Sequence, residues 1–106
     1  MQDIARRHKV EIATMGHAGD GNLHPAFTFD RSDTHEFHRV EAAAAELFQT
    51  AIQLEGTITG EHGIGLSKAP YLAWEHDGAA LRMMKALKKT FDPKGILNPG
   101  KMALDD

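Results

Sequence analysis

Residues 10–29 read VEIATMGHAGDGNLHPAFTF. The part up to Met15 reads as a β-strand. From Leu23 onward the sequence alternates, with Leu23, Pro25, Phe27 and Phe29 on one face and His24, Ala26 and Thr28 on the other. Between the two runs lie three glycines, Gly16, Gly19 and Gly21, the last two around Asp20. Asp20-Gly21 is a turn signal, so the two strands form a hairpin. Asp20 and Asn22 shape that turn through side-chain bonds to backbone. The apolar face packs on the core, and His24 is directed away from it. Pro25 favours an edge position or a strand start, because it cannot donate to a ladder.

Working outward from this hairpin, residues 1–9 read as a short helix with Ile4 and His8 on one side. After the hairpin, Asp33 as N-cap with Glu36 three residues on resembles a capping box. The helix that follows carries Phe37, Val40, Ala44, Leu47, Ala51 and Leu54 at steps of three and four, one apolar stripe. The run of alanines at 42–45 raises its propensity and allows close packing, and Gly56 is its natural stop. Thr57, Ile58 and Thr59 are β-branched and predict a further strand. Residues 66–75 are helical or irregular, with Pro70 breaking the early part. Asp77 caps a second helix over 78–91, with Leu81, Met84, Leu87 and Phe91 as its stripe and Lys85, Lys88 and Lys89 near its negative end. Asp92-Pro93 ends it, and Ile96 and Leu97 favour an ordered tail. This order predicts one α+β domain over 1–106, an antiparallel sheet with helices on one face. Phe27, Phe29, Phe37, Val40, Leu47, Leu54, Leu81 and Met84 are its expected core.

Composition narrows the function. The chain has 106 residues, a formal charge of −3 and 42% apolar residues, one modest core with no basic footprint for nucleic acid. It has no cysteine, which excludes disulfides and thiolate metal sites. No apolar run approaches the roughly 20 residues needed to span a bilayer. The N-terminus lacks the apolar centre of a signal peptide and reads like the end of an amphipathic helix, as in a piece of something longer. A cytoplasmic location is expected, with a peripheral-membrane or mitochondrial one open for a full-length protein.

Chemistry concentrates in two glycine-rich loops. The first, GHAGDGNLHP at 16–25, carries His17 and His24; the second, GEHGIG at 60–65, carries Glu61 and His62. A hairpin places His17 and His24 on neighbouring strands, where their rings can converge. Two histidines do not complete a catalytic zinc site, and Glu61 is a third ligand of the right type. Two histidines and a carboxylate suit zinc, manganese or iron. In an extended segment Glu61 and His62 point to opposite sides, so both bind one ion only if the loop kinks. Otherwise Glu61 is the ligand and His62 an acid/base group, or His62 only bonds backbone in a glycine turn. Neither loop has a phosphate-binding pattern. His8, His35, His38 and His76 are expected at the surface. Lys68 and Tyr71 could reach an anionic substrate, although an exposed lysine is the default.

GHAGDGNLHP, GEHGIGLSK and DPKGILNPGK, in this order and at these separations, resemble the C-terminal part of FAD-linked oxidases. Similar enzymes are the glycolate oxidase FAD subunit, D-lactate dehydrogenase and D-2-hydroxyglutarate dehydrogenase, among the vanillyl-alcohol-oxidase-like flavoproteins. The resemblance implies a ferredoxin-like cap domain and oxidation of a D-2-hydroxy acid to the 2-keto acid. It implies FAD, bound mainly by an N-terminal domain that nothing here matches, and a divalent metal, zinc or manganese. His17 and His24 match the two metal-ligand histidines, Glu61 the acidic ligand, His62 the catalytic base that takes the hydroxyl proton, and Asn98 an asparagine near the flavin. The implied partners are an FAD-binding domain or chain and a small 2-hydroxy acid. Two other readings stay open: a stand-alone metal- or ligand-binding module, and a subunit that docks on a separate flavoprotein.

Overall fold

Strands β1 (Glu11–His17) and β2 (Asn22–Thr28) pair antiparallel in the computed structural model, with Glu11 opposite Thr28 and His17 opposite Asn22. The structure describes residues 1–104. It falls into two compact units, Met1–Leu54 and Glu55–Asp106. The hairpin closes through residues 18–21. Gly21 takes φ +72°, its N–H donates to the His17 carbonyl at 3.0 Å, and the Asp20 carboxylate accepts the Asn22 N–H at 3.1 Å. The expected Asp20-Gly21 turn is therefore present. Gly16 serves a different need. A Cβ there would lie 2.6 Å from the Asn22 carbonyl oxygen, so only glycine lets the strands approach at this level.

Two helices complete the first unit, α1 (Gln2–His8) and α2 (Thr34–Gln53). Asp33 caps α2, accepting from the N–H groups of His35 and Glu36 at 2.9 and 3.0 Å. The capping box is altered, because the Asp33 N–H already donates to the Asp30 carbonyl at 3.1 Å. Glu36 instead accepts from the Asp30 N–H at 2.8 Å. The core here is Ile4, Val40 and Ala43. His8 was expected at the surface, but its ring is half-buried, with Nε2 2.6 Å from a Glu46 carboxylate oxygen. Arg7 bonds the same carboxylate. Phe27, Phe29, Phe37 and Leu47 are half-buried, and the rings of Phe29 and Phe37 pack 6.0 Å apart. Leu54 is 78% exposed, which corrects its place in the expected core. It is the C-cap of α2, where the backbone leaves the helical path and the stripe ends. The left-handed residue after it is Glu55, at φ +60°, rather than Gly56.

The second unit corrects one strand. Residues 57–59 form a loop, because side chains take the place of a ladder. The Ile58 N–H donates to Glu75 at 2.9 Å, and the Ile58 carbonyl accepts from Lys68 at 2.8 Å. Ile58, Ile64 and Leu72 are the buried core. Residues 66–75 are partly helical, with a 3-10 turn at Ala69–Tyr71 and the short α3 (Leu72–Glu75). Asp77 caps α4 (Gly78–Phe91), accepting from the Ala80 N–H at 2.8 Å. Of the α4 stripe, Leu81 and Met84 are half-buried, whereas Leu87 and Phe91 are exposed. The tail is ordered about Asp92, described below.

The class is α+β with an antiparallel sheet, as expected. Among the described residues that sheet has two strands. A full ferredoxin-like sheet has more, and the further strand expected at 57–59 does not form. No described helix is long and apolar enough to cross a membrane.

Candidate functional site

The register of the hairpin determines which side chains share a face. Residues directly opposite across an antiparallel pair lie on the same side, as do residues two apart on one strand. Met15 stands opposite His24, and His17 opposite Asn22. His17, Met15, His24 and Asn22 therefore share one face, and Ile12, Leu23 and Phe27 the other. His17 and His24 are diagonal neighbours. Their ring centroids lie 5.2 Å apart at 84°, with one nitrogen of each ring within 4.8 Å of the other. His17 is exposed and His24 half-buried, so the pair opens towards solvent.

The second loop, at 60–65, is not extended. Gly63 and Gly65 take φ +75° and +57°, the left-handed region that glycine enters without strain. The buried side chains of Ile58 and Ile64 anchor the loop on both sides. The Thr59 hydroxyl donates to the Gly63 carbonyl at 3.1 Å. The Met102 N–H donates to the Gly65 carbonyl at 2.8 Å, tying the C-terminal tail to the loop. As a result Glu61 and His62 do not point to opposite sides. His62 Nε2 lies 3.8 Å from a Glu61 carboxylate oxygen, and both side chains are exposed, by 74% and 46%. The loop is therefore kinked, and the backbone alone does not assign His62 to a ligand or to an acid/base role.

Lys68 is not an exposed lysine awaiting an anion. Its ammonium donates to the Ile58 carbonyl, and burial lowers its pKa. Tyr71 packs edge-on against Trp74, with centroids 4.7 Å apart. His35 and His38 are exposed as expected. His76 is half-buried, with Nε2 3.8 Å from Glu75.

Sequence reasoning missed Asp92, which it read only as the end of a helix. Asp92 is the buried charged residue among the described residues, at 5% exposure. Its carboxylate accepts from Lys88 at 2.6 Å and from the N–H groups of Ile96 and Leu97 at 3.0 and 2.9 Å. The Asp-Pro-Lys-Gly order was the available signal, since aspartate commonly bonds backbone ahead of it at such turns. The clamp fixes the turn that leads to Asn98. Asn98 itself sits at φ +48°, a conformation asparagine tolerates better than most residues.

Comparison with known proteins agrees with these elements. The sequence profile described as FAD linked oxidases, C-terminal domain, matches residues 1–102. The chain is 55% identical over 106 residues to the glycolate oxidase subunit GlcD of Bacillus subtilis (strain 168), covering 100% of this chain and 23% of that protein. It is 43% identical over 109 residues to the mitochondrial D-lactate dehydrogenase [cytochrome] of Arabidopsis thaliana, covering 96% of this chain and 19% of that protein. It is also 43% identical over 94 residues to the D-2-hydroxyglutarate dehydrogenase of Stutzerimonas stutzeri (strain A1501), covering 87% of this chain and 20% of that protein. The chain thus spans about a fifth of the length of the curated relatives it matches. A profile match over nearly its whole length places this chain in the family of FAD linked oxidase C-terminal domains.

Proposed function

We propose that residues 1–106 act as the substrate- and metal-holding domain of an FAD-dependent oxidoreductase that oxidises a D-2-hydroxy acid, of the glycolate, D-lactate or 2-hydroxyglutarate type, to the 2-keto acid. The observation that carries this reading is the convergence of His17 and His24 on the open face of the hairpin, in a chain whose relatives carry those enzyme names. Two nitrogens on a tetrahedral ion, with bonds of about 2.0–2.1 Å, stand roughly 3.3 Å apart. Rings already within 4.8 Å reach that separation by small side-chain rotations.

His17, His24 and Glu61 would hold the divalent ion, zinc or manganese, with a position left open for substrate. When bound, the ion supplies Lewis acidity at the substrate hydroxyl, and FAD supplies the acceptor for the hydride of C2. His62 takes the hydroxyl proton, because an imidazole beside a metal ligand, but not itself needed as one, can act as general base. The exposure of His62 suits this role, since a base must reach a substrate that arrives from solvent. Asn98, which follows the turn fixed by Asp92, would lie near the flavin. The partner is the FAD-binding domain or chain that makes up the rest of such an enzyme.

The test is metal uptake. Chelator-treated protein is equilibrated with zinc or manganese, and bound metal is measured by elemental analysis. Replacing both His17 and His24 by Ala is expected to abolish uptake. Equal uptake by that double variant and the parent would overturn the site.

A further inference from the structure

We propose that Met15 contacts the C2 substituent of the substrate and sets what the enzyme accepts there, favouring hydrogen or a short alkyl group over a carboxylated one. The inference rests on the reading of His17 and His24 as the metal-holding pair. Its own warrant is the register. Met15 is directly opposite His24 and two residues before His17 on the same strand, so all three side chains leave the same face of the hairpin. Directly opposed residues have Cβ atoms about 4.5–5.5 Å apart, close enough for a long side chain to lie alongside the facing ring. Of the other residues of that face near the pair, Asn22 stands opposite His17 at the turn end, and Ala13 and Ala26, opposite each other, are too short to reach as far, so Met15 is the apolar side chain that flanks the rings.

Exposure points the same way. Met15 is 69% exposed. Scattered exposed apolar residues are ordinary, but this one borders the two imidazoles. C2 of a 2-hydroxy acid is one bond from both its hydroxyl oxygen and its carboxylate carbon. A substrate held at His17 and His24 therefore presents its C2 substituent to whatever flanks those rings. An unbranched thioether adapts to a hydrogen or a methyl group and contacts it favourably. A carboxylate on the substituent would lose water against the thioether and gain no hydrogen bond in return. The structure thus favours glycolate-like and lactate-like acids over 2-hydroxyglutarate-like ones.

The experiment uses the FAD-containing enzyme that carries this chain, with kcat/KM measured for glycolate, D-lactate and D-2-hydroxyglutarate in the parent, Met15→Leu and Met15→Arg. Met15→Arg is expected to move the ratio of D-2-hydroxyglutarate to D-lactate upward by about 10-fold or more, within the range a single contact discriminates. Bound metal should stay unchanged, and Met15→Leu should keep the parent ratios. Unchanged ratios in an active, metal-loaded Met15→Arg enzyme would overturn the inference. His17→Ala, measured in parallel, reports on the reading beneath it: undiminished turnover and metal content there would overturn the metal site, whatever the Met15 ratios show.

Discussion

Lys88 and Asp92, four residues apart, join the end of α4 to the tail: the ammonium donates to the Asp92 carboxylate at 2.6 Å and to the Leu97 carbonyl at 2.5 Å. The Lys88 bond, followed by the N–H groups of Leu97 and Ile96, outweighs burial and holds the Asp92 carboxyl at about 2, below its ordinary 3.8. A depressed carboxylate contributes stability that is present above its unfolded value and lost as pH falls through its folded value. Asp92→Asn should therefore melt below the parent at neutral pH, with the difference shrinking from about pH 5, much reduced at pH 2 and gone only below it. Thermal unfolding followed by circular dichroism across that range checks this. A difference that stays constant down to pH 2 would mean that the charge contributes nothing.

Gly16 and Gly19 should respond oppositely to a methyl group. At Gly16 the added Cβ meets the Asn22 carbonyl oxygen at 2.6 Å, whereas at Gly19 nothing lies within 4 Å. Gly16→Ala should destabilise by about 1–3 kcal/mol, the usual range for overpacking. It should also disturb the His17–His24 spacing beside it. Gly19→Ala should stay within about 0.5 kcal/mol of the parent. Urea unfolding of the two variants gives the comparison.

Two positions of α2, one inside the helix and one at its C-cap, should differ in the same way. Ala43 is fully buried and Leu54 is 78% exposed. Ala43→Leu should cost about 1–3 kcal/mol, because the site has no room. Leu54→Ala should be nearly neutral, within about 0.5 kcal/mol. A large loss for Leu54→Ala would show that Leu54 belongs to an interface with another part of the enzyme.

His62→Asn, in the FAD-containing enzyme, should keep bound metal and lower kcat by about 10²–10⁴-fold, the usual weight of general-base catalysis. Glu61→Gln should lower both metal content and turnover. Loss of metal in His62→Asn to the extent seen in Glu61→Gln would make His62 a ligand instead. Full turnover would remove it from the mechanism.

Much of this protein was legible in residue order, because the signals are local. The strand at 22–28, the Asp20-Gly21 turn, and the Asp33 and Asp77 caps each depend on neighbours within a few residues, and each formed, although Leu23 and Pro25 of the expected core face are exposed and His24 is half-buried. The pairing of His17 with His24 was foreseeable for the same reason, since a short hairpin leaves the two strands few registers. What the sequence could not decide depended on distant partners. Whether 57–59 became a strand turned on Glu75 and Lys68, which satisfied both backbone groups of Ile58 from the side. Whether Glu61 and His62 diverged turned on the left-handed backbone at Gly63 and Gly65, with Met102 closing the loop. His8 left the surface because Glu46, far along the chain, accepts from it. Asp92 became an anchor because Lys88 and two backbone N–H groups converge on its carboxylate. In each case the local pattern allowed several conformations. The hydrogen-bonding demand of a buried or part-buried polar group, met only by a folded chain, selected one.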